Sequence, residues 1–252
     1  MKVKKVLKLS VLAVLFIALA GYVVYAMTSM TKPDHEEICR GVVLVIEDNG
    51  SADFVDKAKV ESLLKAQNLY PVGRKCADID TRTIEEALKR NPFIERVECY
   101  KASDGKFCIN VFQRTPVMYI MPTGKDGYFV DSNGEIIPNT NFASNIVVAT
   151  GDIDKKYAVK ELVPFGKFLQ NDDFWNNQIE QINVSKDREH QRVVELVPRV
   201  GEHIVYMGQM EGFEKKLKRL KTFYRKAMGQ VGWNKYVKIN LEYDNQIICT
   251  KK

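Results

Sequence analysis

PFIERVECYKASDGKFCINVFQRTPV, residues 92–117, reads as a β-hairpin. Val97, Cys99 and Lys101 alternate with Glu98 and Tyr100 on the first arm, and Phe107, Ile109 and Val111 alternate with Cys108 and Asn110 on the second. Period two is the signature of a strand with one buried face. Ser103-Asp104-Gly105 suits a three-residue loop with glycine at the left-handed position. That register pairs Val97 with Val111 and Cys99 with Ile109 on an apolar face, and Glu98 with Asn110 on the other. Directly opposed residues share a face, so Cys99 and Cys108 point apart and are not expected to join, with Cys99 buried beside Val97, Ile109 and Val111.

Upstream, Val42-Val43-Leu44-Val45-Ile46 reads as a strand, and Glu47-Asp48-Asn49-Gly50-Ser51 as a turn. Asp53 suits the cap of a helix with apolar Val60, Leu63 and Leu64. Pro71 and Gly73 break the chain. A second helix starts near Asp80 or Thr81, carries Ile84, Ala87 and Leu88 on one side, and stops before Pro92. Residues 39–114 therefore read β-α-α-β-β.

Residues 115–252 read as mainly antiparallel β with helices. Tyr128–Val130 and Glu135–Ile137 flank Asp131-Ser132-Asn133-Gly134, and Asn-Gly is a strong hairpin signal. Further strands are expected at 146–149, 179–184, 193–197 and 204–207. A helix is expected over 157–170 despite Pro164. Another spans 213–228, with Phe213, Leu217, Leu220, Tyr224 and Ala227 in one stripe. From Val237 to Cys249 the alternation continues to the end of the chain and reads as one strand, placed at a sheet edge where it is either solvated or paired with another chain.

The N-terminus is different. Residues 9–31 (LSVLAVLFIALAGYVVYAMTSMT) contain no charge over 23 positions, about 34 Å as a helix, against a hydrocarbon core of about 30 Å. Lys2, Lys4, Lys5 and Lys8 precede it, which places residues 1–8 in the cytoplasm and the rest outside. Ala18-Leu19-Ala20-Gly21 resembles a signal-peptidase site, yet apolar residues continue to Met27, as an anchor needs and a cleaved leader does not. Polar residues 32–38 form a linker. The class is thus α+β behind a single transmembrane helix, in an inner (cytoplasmic) membrane with the bulk extracytoplasmic.

Of the net charge of +6, four units sit in that tail, leaving +2 on everything downstream, which argues against nucleic acid. The five cysteines form no CxxC pair, and an odd, widely spaced set reads as free thiols. His35, His190 and His203 lie in polar contexts and are expected to be solvated. No HExxH, GxSxG, GxGxxG or GxxxxGK[ST] occurs. Asp131-Ser132-Asn133-Gly134 begins like a calcium loop, but the twelfth position is Phe142, where a carboxylate is required. No catalytic, metal-binding or cofactor-binding residue is expected, and the chain reads as non-enzymatic. The seven basic residues of 213–228 are expected on a solvated face, available to an acidic partner.

In order, these features resemble the FtsQ/DivIB cell-division family: a short basic tail, one membrane span, a POTRA-like β-α-α-β-β module and a larger β domain. Asn91-Pro92-Phe93-Ile94 with Val97 resembles the family's step into its second strand. Arg114-Thr115-Pro116 resembles the Arg-x-Pro at the module junction, and 127–138 (GYFVDSNGEIIP) the aromatic-hydrophobic-Asp-x-x-Gly hairpin. Val147–Gly151 and Asn240-Leu241-Glu242-Tyr243 match further points. Glu242 stands where an Arg is often found, and Gln246 where a Gly is. The resemblance implies domains at 1–8, 9–31, 32–38, 39–114 and 115–252, and a non-catalytic scaffold of the divisome at the septum. It implies binding of FtsB and FtsL, with FtsK, FtsW and FtsI as further contacts. The residues implied in partner binding are Ile239, Asn240, Leu241, Glu242, Tyr243, Asn245, Gln246 and Ile247. A POTRA-bearing export or assembly component and a membrane-anchored cell-wall enzyme are the alternatives.

Overall fold

The computed structural model describes residues 2–30, 37–47, 54–140 and 146–252, with the side chains of 12–27 in the first helix. His35, Asp53, Phe142, most of the linker and residues 48–51 of the turn lie outside the described residues.

Helix α1 covers Lys2–Met30. Among the described residues, no helix is long and apolar enough to cross a membrane. The described side chains of α1, 12–27, span about 24 Å, short of a hydrocarbon core of about 30 Å.

Next come β1 (Gly41–Glu47), α2 (Lys57–Ala66), α3 (Thr81–Lys89), β2 (Ile94–Lys101) and β3 (Lys106–Gln113), with strand order β1-β3-β2. Asp56, not Asp53, caps α2, its carboxylate accepting from Lys59 N–H at 2.7 Å. Ile84, Ala87 and Leu88 are buried on α3. Gly105 takes φ +75° at the hairpin loop, and Ala102 N–H donates to Lys106 O across it. All five cysteines are free thiols. Contrary to expectation, Cys99 is only half-buried while Cys108 is buried. Edge strand β2 loses cover toward its end, whereas central β3 buries Phe107, Cys108 and Ile109 in succession.

The remaining strands form one nine-stranded sheet. They are β4 (Pro116–Pro122), β5 (Tyr128–Asp131), β6 (Ile136–Pro138), β7 (Val148–Gly151), β8 (Ile179–Lys186), β9 (Arg192–Pro198), β10 (Ile204–Gly208), β11 (Tyr236–Asn240) and β12 (Ile248–Lys251). The order is β12-β11-β10-β9-β8-β7-β4-β5-β6. Five of its eight pairings are antiparallel, as expected, but the sheet is mixed, because β4–β7, β7–β8 and β10–β11 are parallel. Parallel neighbours need long crossovers, usually helical. Two are helical here. Between β7 and β8 run α4 (Lys155–Tyr157), a π turn (Ala158–Leu162), α5 (Val163–Gln170) and α6 (Asp173–Gln178). Between β10 and β11 run α7 (Phe213–Phe223), a second π turn (Tyr224–Met228) and α8 (Gly229–Val231). Pro164 lacks an N–H and crowds the preceding turn, and the wide π turn just before it relieves that conflict without ending the helix.

Contacts divide the chain into two compact units. One comprises Met1–Val43, Pro71–Thr81 and Tyr100–Cys108; the other comprises Leu44–Tyr70, Arg82–Cys99 and Ile109–Lys252. The core of the second is apolar and closely filled. Trp175, Phe165, Leu169, Ile182, Leu196, Leu217, Leu220 and Met228 are among its buried members.

Candidate functional site

The last strand is not one strand. β11 stops at Asn240, a turn follows, and β12 returns antiparallel with Ile239 opposite Cys249 and Asn240 opposite Ile248. The alternation from Val237 to Asp244 suggested a single strand, although the polar run Asp244-Asn245-Gln246 and the apolar run Ile247-Ile248-Cys249 interrupt it at this turn. Asn245 adopts φ +61°, a left-handed conformation that Asn tolerates well and that reverses the chain. β11 is hydrogen-bonded on both sides, to β10 and β12, so the open edge is β12.

The eight residues singled out from sequence therefore divide. Ile239 and Leu241 are fully buried in the core. Leu241 N–H donates to Tyr206 O at 2.8 Å, and Asn240 Oδ1 accepts from Glu242 N–H at 2.8 Å. Tyr243 is half-exposed, and Ile247 packs partly on the core. Asn245, Gln246 and Ile247 line a groove of about 620 Å³ together with residues of the second crossover.

The far wall of that groove is α7 and its π turn, which present Lys215, Lys218, Thr222, Lys226, Phe223 and Ala227. The stripe buried beneath is Leu217, Leu220, Tyr224 and Met228. Ala227 turns out to the groove, since the wider π turn rotates the stripe toward Met228. The basic face is only in part solvated. Lys216 Nζ donates to Met207 O at 2.9 Å and Gln209 O at 2.7 Å, and burial pulls its ammonium below the usual lysine range. Lys221 pairs with Asp172 at 2.8 Å and holds that carboxyl below its usual range. Arg219 Nη2 donates to Leu241 O at 2.7 Å, while its Nε is buried without an acceptor. Beside the open edge lies, then, an apolar floor with a cationic rim and one unspent guanidinium donor.

The opposite edge of the sheet is closed. β6 is three residues long and ends in Pro138, which cannot donate to a ladder. On β12, Ile248 is 46% exposed and carries no blocking charge before Lys251. Lys252 N–H donates to Lys235 O at 3.2 Å. By strand alternation, Thr250 and Ile248 turn their N–H groups inward as well, and Cys249 and Lys251 turn theirs outward.

One histidine departs from expectation. His203 is 1% exposed, its Nε2 is 2.6 Å from Tyr224 Oη, and its ring stacks near Trp233. It ties the start of β10 to the second crossover, and burial lowers its pKa. The local Gly-Glu-His context gave no sign of this, because the partners lie about twenty and thirty residues downstream. His190 is exposed. Among the described residues, no group of three His, Cys, Asp or Glu is placed to hold a metal ion.

Two family models match the chain. One, described as a POTRA-like domain, covers residues 37–112. The other, described as FtsQ/DivIB, C-terminal related, covers residues 115–250. No curated protein matches it. The second match spans more than half of the sequence and covers the nine-stranded sheet up to Thr250, one residue short of the end of β12, together with the groove, so the chain belongs to the FtsQ/DivIB family through its C-terminal related domain.

Proposed function

We propose that this chain is a non-catalytic, membrane-anchored scaffold of the bacterial divisome that receives an extended partner segment along β12. Proteins of the family are membrane-associated division scaffolds, which supports the general role. The observation that carries the docking mode is the asymmetry of the nine-stranded sheet: β6 is short and proline-ended, while β12 leaves a row of backbone groups unpaired among the described residues. Strand addition satisfies such a row, and adjoining pockets supply selectivity. The groove of Phe223, Ala227 and Ile247, rimmed by Lys215, Lys218 and Lys226, favours a partner with apolar anchors and acidic flanks. FtsB and FtsL are the partners proposed, with FtsK, FtsW and FtsI as further contacts at the septum.

Anchoring rests on the uncharged run 9–31 behind four lysines. Leu12, Leu15, Phe16, Ile17, Leu19 and Val24 of α1 are all more than 60% exposed, on every side of the helix, as expected where lipid is the neighbour. The same run is proposed to leave residues 1–8 in the cytoplasm and the bulk outside, with domains divided at 39–114 and 115–252.

The test is Lys251→Pro. Its N–H points away from β11 and its side chain is exposed, so the internal ladder and core stay intact while the outer ladder loses a donor. Capture of FtsB by the full chain should fall at least tenfold, with the circular dichroism spectrum unchanged. Unchanged capture by a folded variant refutes docking along β12.

A further inference from the structure

Two of the free thiols face one another across a short ladder within a single compact unit. Residues 37–40 run antiparallel to 73–76. Ile38 bridges Lys75; Cys39 N–H donates to Arg74 O at 2.8 Å, Gly73 N–H to Cys39 O at 2.9 Å and Cys76 N–H to Glu37 O at 2.7 Å. In this register Cys39 opposes Arg74 and Cys76 opposes Glu37, so both cysteines project from the same side on a diagonal. Diagonal neighbours lie about 7–8 Å apart at Cα and closer at Cβ, just beyond the reach of a disulfide.

The missing distance is small and the segment has room to supply it. Cys76 does not continue the ladder but opens a 3-10 turn, Cys76–Asp78. The preceding reversal turns on Gly73 at φ +82°, where even an added Cβ meets nothing within 4 Å. Their accessibilities differ: Cys39 is 1% exposed, its Sγ directed at Gly41 O at 3.4 Å, whereas Cys76 is only half-buried. Cys99 and Cys249 are each half-buried elsewhere, and Cys99 N–H is held by Glu85.

We propose that Cys39 and Cys76 are a disulfide-forming pair, oxidised by a small or protein-borne disulfide, with Cys76 the entry point and Cys39 the resolving thiol. Cys76 loses its proton and its sulfur attacks one sulfur of the oxidant. The oxidant's S–S bond breaks, and its first thiolate leaves and takes up a proton. Cys39 then loses its proton and attacks the Cys76 sulfur of the mixed disulfide, releasing the second carrier thiol. Two protein thiols are oxidised and one disulfide is reduced to two thiols. The new bond fastens residues 37–40, the first described after α1, to the 73–76 turn. Only the place where the oxidant is met rests on the reading of the bulk as exported; the chemistry does not, so a failed test in vitro leaves that reading standing.

The full chain, reduced and desalted in detergent, is incubated with glutathione disulfide, acid-quenched, unfolded, alkylated with N-ethylmaleimide and mapped by mass spectrometry. The expected map has a linked Cys39–Cys76 peptide and alkylated Cys99, Cys108 and Cys249, a loss of two of the five thiols. Cys76→Ser should leave Cys39 alkylated, and Cys39→Ser should leave Cys76 carrying glutathione. Three results on the natural chain overturn the proposal: glutathione on Cys76 with Cys39 alkylated, five alkylated thiols, or a link between any other pair. The map of the natural chain decides even where a serine variant does not fold.

Discussion

Replacing Asp131 by Ala should be among the most damaging changes to a polar residue of the large sheet. Asp131 ends β5, and its side chain is 3% exposed. Its Oδ1 accepts from Asn133 N–H at 2.9 Å and Glu135 N–H at 2.8 Å, which shapes the Asn-Gly hairpin. Its Oδ2 accepts from Arg114 Nη1 at 2.6 Å, and Arg114 is itself 16% exposed. Removing one partner of a buried pair strands the other charge, at about 3–5 kcal/mol. Exposed pairs such as Lys186–Asp152, half open to solvent on both sides, contribute little by comparison. With a urea slope of about 3 kcal/mol/M for a unit of this size, Asp131→Ala should lower the unfolding midpoint by about 1–1.7 M. Fluorescence of Trp175, 1% exposed in the same core, reports it. Arg114→Met should cost less, because the carboxylate keeps its two turn donors. The double variant should be less damaged than the sum of the singles by about 2 kcal/mol. Additive effects, or a loss below about 1 kcal/mol for Asp131→Ala, would refute the assignment of this pair as a buried lock.

His203 makes stability depend on pH in a known sense. Burial lowers its folded pKa below the unfolded value near 6.5, so its contribution is complete above pH 6.5 and is lost as pH falls through the folded value. Stability to urea should drop between pH 7.5 and pH 5, by up to about 1.4 kcal/mol per pH unit between the unfolded and the folded value and levelling off below the folded value, and His203→Gln should flatten that dependence. Gly151→Ala should cost about 3 kcal/mol or more, because φ is +111° and the new Cβ would enter the Val184 carbonyl of β8. Gly229→Ala, at a helical φ of −63° with nothing within 4 Å, should instead gain about 0.4–1 kcal/mol; thermal melts of the two variants separate the cases.

Much of the architecture was legible locally. Asp104-Gly105 and Asn133-Gly134 marked both hairpins because left-handed backbone is cheap only for a few residue types, and both glycines take it. The buried faces of α3 and of the first crossover followed from apolar spacing, which reports a residue's own environment. Order along the chain, with the Arg114 and Asp131 motifs, was enough to point to the family.

What sequence alone left open was which element lies beside which. Alternation marks a strand but not its neighbours, so β11 looked like an edge when it lies between β10 and β12. The turn at Asn245 did leave a trace, since Asn245 and Ile248 break the period of two, but the pattern on either side of it resembles one strand. Only the folded sheet put the open edge at Ile248–Lys251 and buried Ile239 and Leu241 in the core. The same holds for His203, whose partners Tyr224 and Trp233 arrive from a distant crossover. Local pattern is set by side-chain solvation one residue at a time. Edges, parallel pairing and buried polar contacts depend on which distant segments close on one another, and that is decided by the packing of the whole core.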